Sequence, residues 1–243
     1  MKPDFAVTDV SRLEGGDLKF LIEHFPSPGR DYRELAAVID SLPSTMDSML
    51  ESDFVVERVL DKRNLLLDVS PFLVFNVLLR CVLPGRRTPI ERRVINYIAN
   101  LLALYVKVDR LYRIRPNDAE TYEYIVDIIK RASQADAAEQ FSAYAHIGNF
   151  ALFLTGMFPQ WIEHRHRFKR RPVDRKYFED QGGTNYHQAG LHPLAGRFEL
   201  KDVFLRLAIN FDSYGRALNE MQSRFFDARP GSIADPTPRR HMD

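Results

Sequence analysis

The stretch Phe141-Ser142-Ala143-Tyr144-Ala145-His146-Ile147-Gly148-Asn149-Phe150-Ala151-Leu152-Phe153-Leu154-Thr155-Gly156-Met157-Phe158-Pro159-Gln160-Trp161-Ile162 contains no Asp, Glu, Lys or Arg over 22 residues. A basic run beginning at Arg165 follows it. Such a segment is either a membrane span with a positive flank or the central helix of a helical bundle. Only 14 of its 22 residues are apolar, and Ser142, His146, Gly148, Asn149, Thr155, Gly156, Pro159 and Gln160 interrupt them. A buried core helix explains that mixture better than a membrane span.

Helical signals extend outward in both directions. Phe204, Leu207, Phe211, Tyr214, Leu218, Met221 and Phe225 alternate in steps of three and four, a heptad seam over one helix or two nearly collinear ones. Val94, Ile98, Leu101, Tyr105 and Val108 repeat the spacing, widened by Ile95 and Leu102 to a core-facing stripe. Helix starts are marked at Ser44 with Asp47, at Ser70-Pro71 and at Asn117 with Glu120. Thr88-Pro89-Ile90-Glu91 carries a full capping box. Strand signals are confined to the first 25 residues, where Gly15-Gly16 would turn between Phe5-Ala6-Val7 and Leu18 to Ile22.

The expected fold is all-α: one helical-bundle domain of about six to eight helices over residues 31–227. A short irregular N-terminal lead (1–30) precedes it, and a flexible C-terminal tail (228–243) follows.

Composition sets outer limits. The 243 residues are 45% hydrophobic and 12% aromatic, enough burial to exclude a mainly disordered chain. A single cysteine, Cys81, excludes an internal disulfide and any cluster held by several thiolates. Acidic residues in the first twenty positions break any secretory apolar core, so the expected location is cytoplasmic. The net charge of +1 exerts no global pull on nucleic acid or membrane, but it hides a polarised chain. From Asp31 to Asp61 eight acids face two bases, a net of −6; from Glu163 to Lys176 seven bases face two acids, a net of +5.

These features carry three functional readings. The first is a soluble, non-catalytic interaction or adaptor protein, binding a protein partner or self-associating through its charged faces and the C-terminal seam. The second is a nucleic-acid or anionic-ligand binder. It would use Arg86, Arg87, Arg92 and Arg93 together with Arg165, Arg167, Lys169, Arg170 and Arg171, with Phe168 stacking among them. The third is a helical metal or small-molecule enzyme around His146, Glu163 and His166. Glu163 and His166 share a helix face, but one such pair fixes only two ligands and the surrounding bases would repel a cation, so no metal and no cofactor is expected.

No phosphate-binding loop, dinucleotide fingerprint, zincin helix or serine elbow occurs. Gly182-Gly183 inside a helical stretch implies a close helix crossing or a ligand near the backbone. A small-molecule pocket would place Tyr177, Asp180, Thr184 and His187 on one face, opposite His146 and Asn149. Cys81, in an apolar helix, is read as an inert thiol.

The segments Ser70-Pro71-Phe72-Leu73-Val74-Phe75-Asn76-Val77-Leu78-Leu79-Arg80 and His146 to Pro159 resemble those of a group of uncharacterised bacterial helical proteins. That group pairs an SPFL-F-LLR segment with a G-D/N-x-x-LF-x-x-G-FP segment, followed by a Tyr-Tyr-x-x-x-Gly-x-x-Ala-Tyr helix. Tyr177-Phe178 and Gly182 to Tyr186 match the last part only partially, with Phe178 and Asn185 departing from it. The resemblance covers about residues 40 to 190. It implies a soluble bacterial helical domain and carries no activity with it.

Overall fold

The computed structural model describes residues 2–24, 43–61, 69–83, 87–122, 124–168 and 173–226. Among these the fold is all-α, with every regular element helical. The helices belong to two compact units, residues 7–103 and residues 1–6 with 104–243. The C-terminal tail lies outside the described residues, as do Asp31, Glu34 and Asp40 of the acidic segment.

In the 7–103 unit the helices are α1 (Gly15–His24), α2 (Pro43–Leu50), α3 (Asp53–Leu60), α4 (Pro71–Val82) and α5 (Pro89–Tyr105). The expected turn at Gly15-Gly16 is instead the start of α1, and no strand forms there. Asp17 is the reason. Its fully buried carboxylate accepts the Glu14 N–H at 2.8 Å, closing the first turn. The same carboxylate accepts the Ser70 N–H at 2.7 Å and the Ser70 hydroxyl at 2.6 Å. Ser70 caps α4 by accepting the Leu73 N–H, and Pro71 follows as the first helical residue. The capping box of α5 also forms, with the Thr88 N–H donating to Glu91 at 2.8 Å.

Two acids of the −6 segment, Asp47 and Glu51, are paired within this unit. Arg80, with its side chain 1% exposed, reaches Asp47 at 2.6 Å and Glu51 at 2.7 Å. Arg87 joins Glu51 at 2.8 Å and Arg92 joins Asp47 at 2.8 Å. The chain of bonds continues inward. Arg80 Nε donates to Asn76, Asn76 donates to Asn96, and Asn96 donates to the Thr8 carbonyl. Asp47, expected to help start a helix, serves instead as an ion-pair partner within α2, which begins at Pro43. Cys81 is half-buried on α4.

In the other unit, α6 (Val108–Leu111) and α7 (Ile125–Gln134) lead to the 21-residue α8 (Ala137–Met157). Then come α9 (Pro159–Phe168), α10 (Arg175–Leu191), α11 (Pro193–Arg197), α12 (Lys201–Ile209) and α13 (Phe211–Met221). No helix begins at Asn117. Asp118 accepts the Arg115 N–H at 2.9 Å and holds a turn there, so the next helix waits until Ile125.

The uncharged stretch from Phe141 to Ile162 is not one helix: it forms α8 as far as Met157 and then enters α9 at Pro159. Asp136 caps α8 by accepting the Glu139 N–H, and Pro159 opens the next helix. Every residue from Phe141 to Gly156 is buried except Tyr144 and Phe153, as a helix apolar all round requires. No helix of the described residues is long and apolar enough to cross a membrane. α8 packs against α7, α10 and α13, and α10 also packs against α12. The heptad seam breaks at Asn210 between α12 and α13. Its residues Phe204 to Met221 are buried within this unit, and Phe225 is half-buried.

Glycines permit the crossings. A Cβ on Gly148 would sit 2.6 Å from the Tyr186 ring, and one on Gly182 would sit 2.9 Å from Ala151 Cβ. Gly156 meets Leu218 in the same way, its Cβ falling 2.6 Å from that side chain. The Gly182 position is therefore a close helix crossing.

Two substitutions test these supports. Gly148→Ala should destabilise by about 1–3 kcal/mol, because the Tyr186 ring is fully buried and has no room to retreat. Arg80→Ala should cost about 3 kcal/mol or more by leaving Asp47 and Asn76 without their central partner. Urea midpoints at fixed pH read both.

Candidate ligand-binding cleft

α9 starts at Pro159, which puts Trp161 and Arg165 one turn apart on the same face. The Arg165 guanidinium lies 4.5 Å from the centre of the Trp161 ring. At that distance the ring face attracts the cation and fixes its direction. Among the described residues no carboxylate lies within ion-pair distance of Arg165.

Trp161 and Arg165 border a cleft of about 90 Å³. α8 contributes Phe150 and Leu154, again one turn apart, and α10 contributes Tyr177 and Phe178. Tyr124, Ile125 and Val126, at the start of α7, close another side, with Val173 and Ile162 completing the wall. Phe150 and Phe178 have ring centres 6.5 Å apart, and Tyr177 meets Phe178 edge-on at 5.9 Å. Among the described residues the cleft is therefore aromatic and aliphatic, with Arg165 as its cation.

The residues expected to form a pocket are divided by the structure. Tyr177 lines the cleft. Asp180, Thr184 and His187 are exposed on the opposite side of α10, and Asp180 lies 3.9 Å from Lys176. The side of α10 turned toward α8 carries Phe178, Gly182 and Tyr186 instead. Asn149 is buried, and its side-chain oxygen accepts the Tyr186 hydroxyl at 2.8 Å.

His146 is in the core. Its Nδ1 lies 3.5 Å from the Tyr105 hydroxyl, and its Nε2 is buried with no hydrogen-bond partner among the described residues. Burial first, and the positive charge of Arg110 second, lower its pKa from 6.5 to about 3, outweighing an opposing pull from the Leu111 backbone. Burial likewise raises the Tyr105 hydroxyl well above its ordinary value. This pair stays neutral at physiological pH.

Of the expected basic residues, Arg87 and Arg92 are in the ion pairs already described, and Arg93 lies on α5 beside them. Arg86, Lys169, Arg170 and Arg171 fall outside the described residues, and so do the side chains of Arg167 and Phe168. Glu163 and His166 lie exposed on α9. Among the described residues no group of three or more His, Cys, Asp or Glu is placed to hold a metal ion.

The chain matches no known protein family, no curated protein and no solved structure. The chemistry of the cleft must therefore speak for itself. Sequence reasoning reached Arg165 and Tyr177 but passed over Trp161, Phe150, Leu154 and Phe178. The available signal was the i, i+4 pairing of the chain's single tryptophan with an arginine.

The neutral His146 links stability to pH. The unfolded imidazole takes up a proton near pH 6.5, while the folded one resists until about pH 3. Its contribution is complete above pH 6.5 and falls by about 1.4 kcal/mol per pH unit as the solution is acidified toward pH 3. Urea midpoints between pH 7 and pH 4.5 should show that slope, and His146→Leu should flatten it.

Proposed function

We propose that this chain is a binding protein whose ligand is a small apolar monocarboxylate, an aromatic or branched short-chain acid. The carboxylate pairs with Arg165, and the hydrocarbon body lies among Trp161, Phe150 and Phe178. The observation that carries this reading is a cation fixed on an aromatic ring at an apolar cleft, with no carboxylate of the described residues within ion-pair distance of it. Size narrows the ligand. A cavity of about 150 Å³ encloses benzene, so the 90 Å³ cleft covers less than one whole ring, and the hydrocarbon body is ring-sized at most and only partly enclosed.

Two further facts favour ligand capture. The described lining contains no carboxylate, imidazole or thiol to act as acid, base or nucleophile. Self-association through opposite charges draws less support, because Arg80, Arg87 and Arg92 already satisfy Asp47 and Glu51 within one unit. The buried seam leaves little for a second copy to grip.

Trp161 is the only tryptophan, so its fluorescence reports the cleft directly. Titration with benzoate, phenylacetate and hexanoate should give a saturable change, and benzyl alcohol should bind more weakly. Arg165→Gln should weaken the acids roughly tenfold to a hundredfold, as loss of a charged hydrogen bond predicts, and leave benzyl alcohol unaffected. Equal binding of acids and alcohol would overturn the assignment.

A further inference from the structure

A second concavity, in the same unit, has a different chemistry. It encloses about 650 Å³, within the range of pockets that hold drug-sized molecules. Its floor is a row of phenylalanines. Phe5 and Phe141 have ring centres 6.0 Å apart, and Phe141 and Phe198 are 5.9 Å apart. Lys2, Arg115 and Arg197 stand exposed around it.

The charge of this groove is decided by which groups are already satisfied. Asp4 forms a two-pronged pair with Arg110, its oxygens at 2.8 and 3.1 Å from Nη2, so those two charges cancel. Asp118 accepts the Arg115 backbone N–H and is the remaining acid of the lining. Among the described residues Lys2, Arg115 and Arg197 have no carboxylate within ion-pair distance. Three cations against one acid leave a net of two positive charges over an aromatic floor.

The backbone holds two of these groups in place. α11 ends at Arg197 and is followed by Phe198 and then Glu199, whose φ of 57° is left-handed. The Leu200 N–H returns to the Ala195 carbonyl at 2.7 Å and the Glu199 N–H to Gly196 at 3.1 Å, which closes the helix end. That closure fixes the turn carrying Arg197 and Phe198. Arg115 is fixed in the turn that Asp118 closes.

We infer that this groove binds a phosphomonoester of a planar aromatic molecule, with the phosphate between Arg115, Arg197 and Lys2 and the ring against Phe198. A phosphomonoester carries between −1.5 and −2 at neutral pH, which matches the uncompensated charge. Its flat ring can lie on Phe198, which is half-buried while Phe5 and Phe141 are buried beneath it, and guanidinium forks suit phosphate oxygens.

Calorimetry of the full chain with adenosine monophosphate, adenosine, inorganic phosphate and a single-stranded DNA 20-mer tests this. Adenosine monophosphate should bind at one site. Adenosine and phosphate, each offering half of the chemistry, should bind at least tenfold more weakly. Arg197→Ala and Arg115→Ala are surface changes that should leave thermal unfolding unaltered and weaken adenosine monophosphate at least tenfold. Lys130→Ala, an equal loss of charge on α7, should not. The proposal is overturned if adenosine monophosphate gives no heat at millimolar concentration, or if phosphate alone binds as well. It is also overturned if both arginine variants bind normally, or if the 20-mer binds more tightly with a steep salt dependence, which would make the groove a nucleic-acid surface.

Discussion

The contact on which the 104–243 unit depends is the flat approach of the Tyr186 ring to the backbone of Gly148. A fully buried phenol is tolerated only if its hydroxyl is satisfied, and Asn149, the next residue along, supplies the acceptor. Glycine makes room for the ring, and asparagine receives its polar end. The ring also stacks on Phe204 at 5.7 Å and meets Phe211 at 6.0 Å, which seats α12 and α13 on the same crossing. Shape and hydrogen bonding thus select the same register for four helices.

Both candidate sites derive from that register. Phe150 and Leu154 lie within two turns of Gly148 toward the C-terminal end of α8, and Tyr177 and Phe178 lie more than two turns before Tyr186 on α10. Phe141 lies about two turns from Gly148 in the other direction. One central helix therefore lines an aromatic cleft with one half and floors a cationic groove with the other. Beyond Glu139 in its first turn, which pairs with Arg131 at 2.6 Å, this helix carries no charge, so the ionic chemistry of both sites comes from the residues around it.

The local grammar of the fold was legible in the sequence. Ser70-Pro71 and Thr88 to Glu91 start helices because side-chain oxygens satisfy backbone donors that the helix itself cannot. The uncharged stretch and the three-four seam were legible as core because periodicity is a one-dimensional signal. What failed was everything decided by a distant partner. Gly15-Gly16 looked like a turn until Asp17 found Ser70, and nothing in the −6 segment told that Asp47 and Glu51 of its eight acids would meet Arg80. The cleft was half-visible for the same reason. Arg165 and Tyr177 are conspicuous in sequence, but Phe150 and Leu154 read only as core until the helices are placed around them.

The bond between Asp17 and Ser70 spans 53 positions along the chain. As the polypeptide leaves the ribosome, Asp17 emerges long before the serine it must meet. The first turn of α1 can use the carboxylate at once through Glu14, but α4 receives this support only after the intervening loop has closed. Loop closure of that length costs only slowly more entropy per added residue, yet it must precede any reward from the contact. The N-terminal segment is thus a late-acting brace in the history of the chain: local in its own turn, and long-range in what it secures.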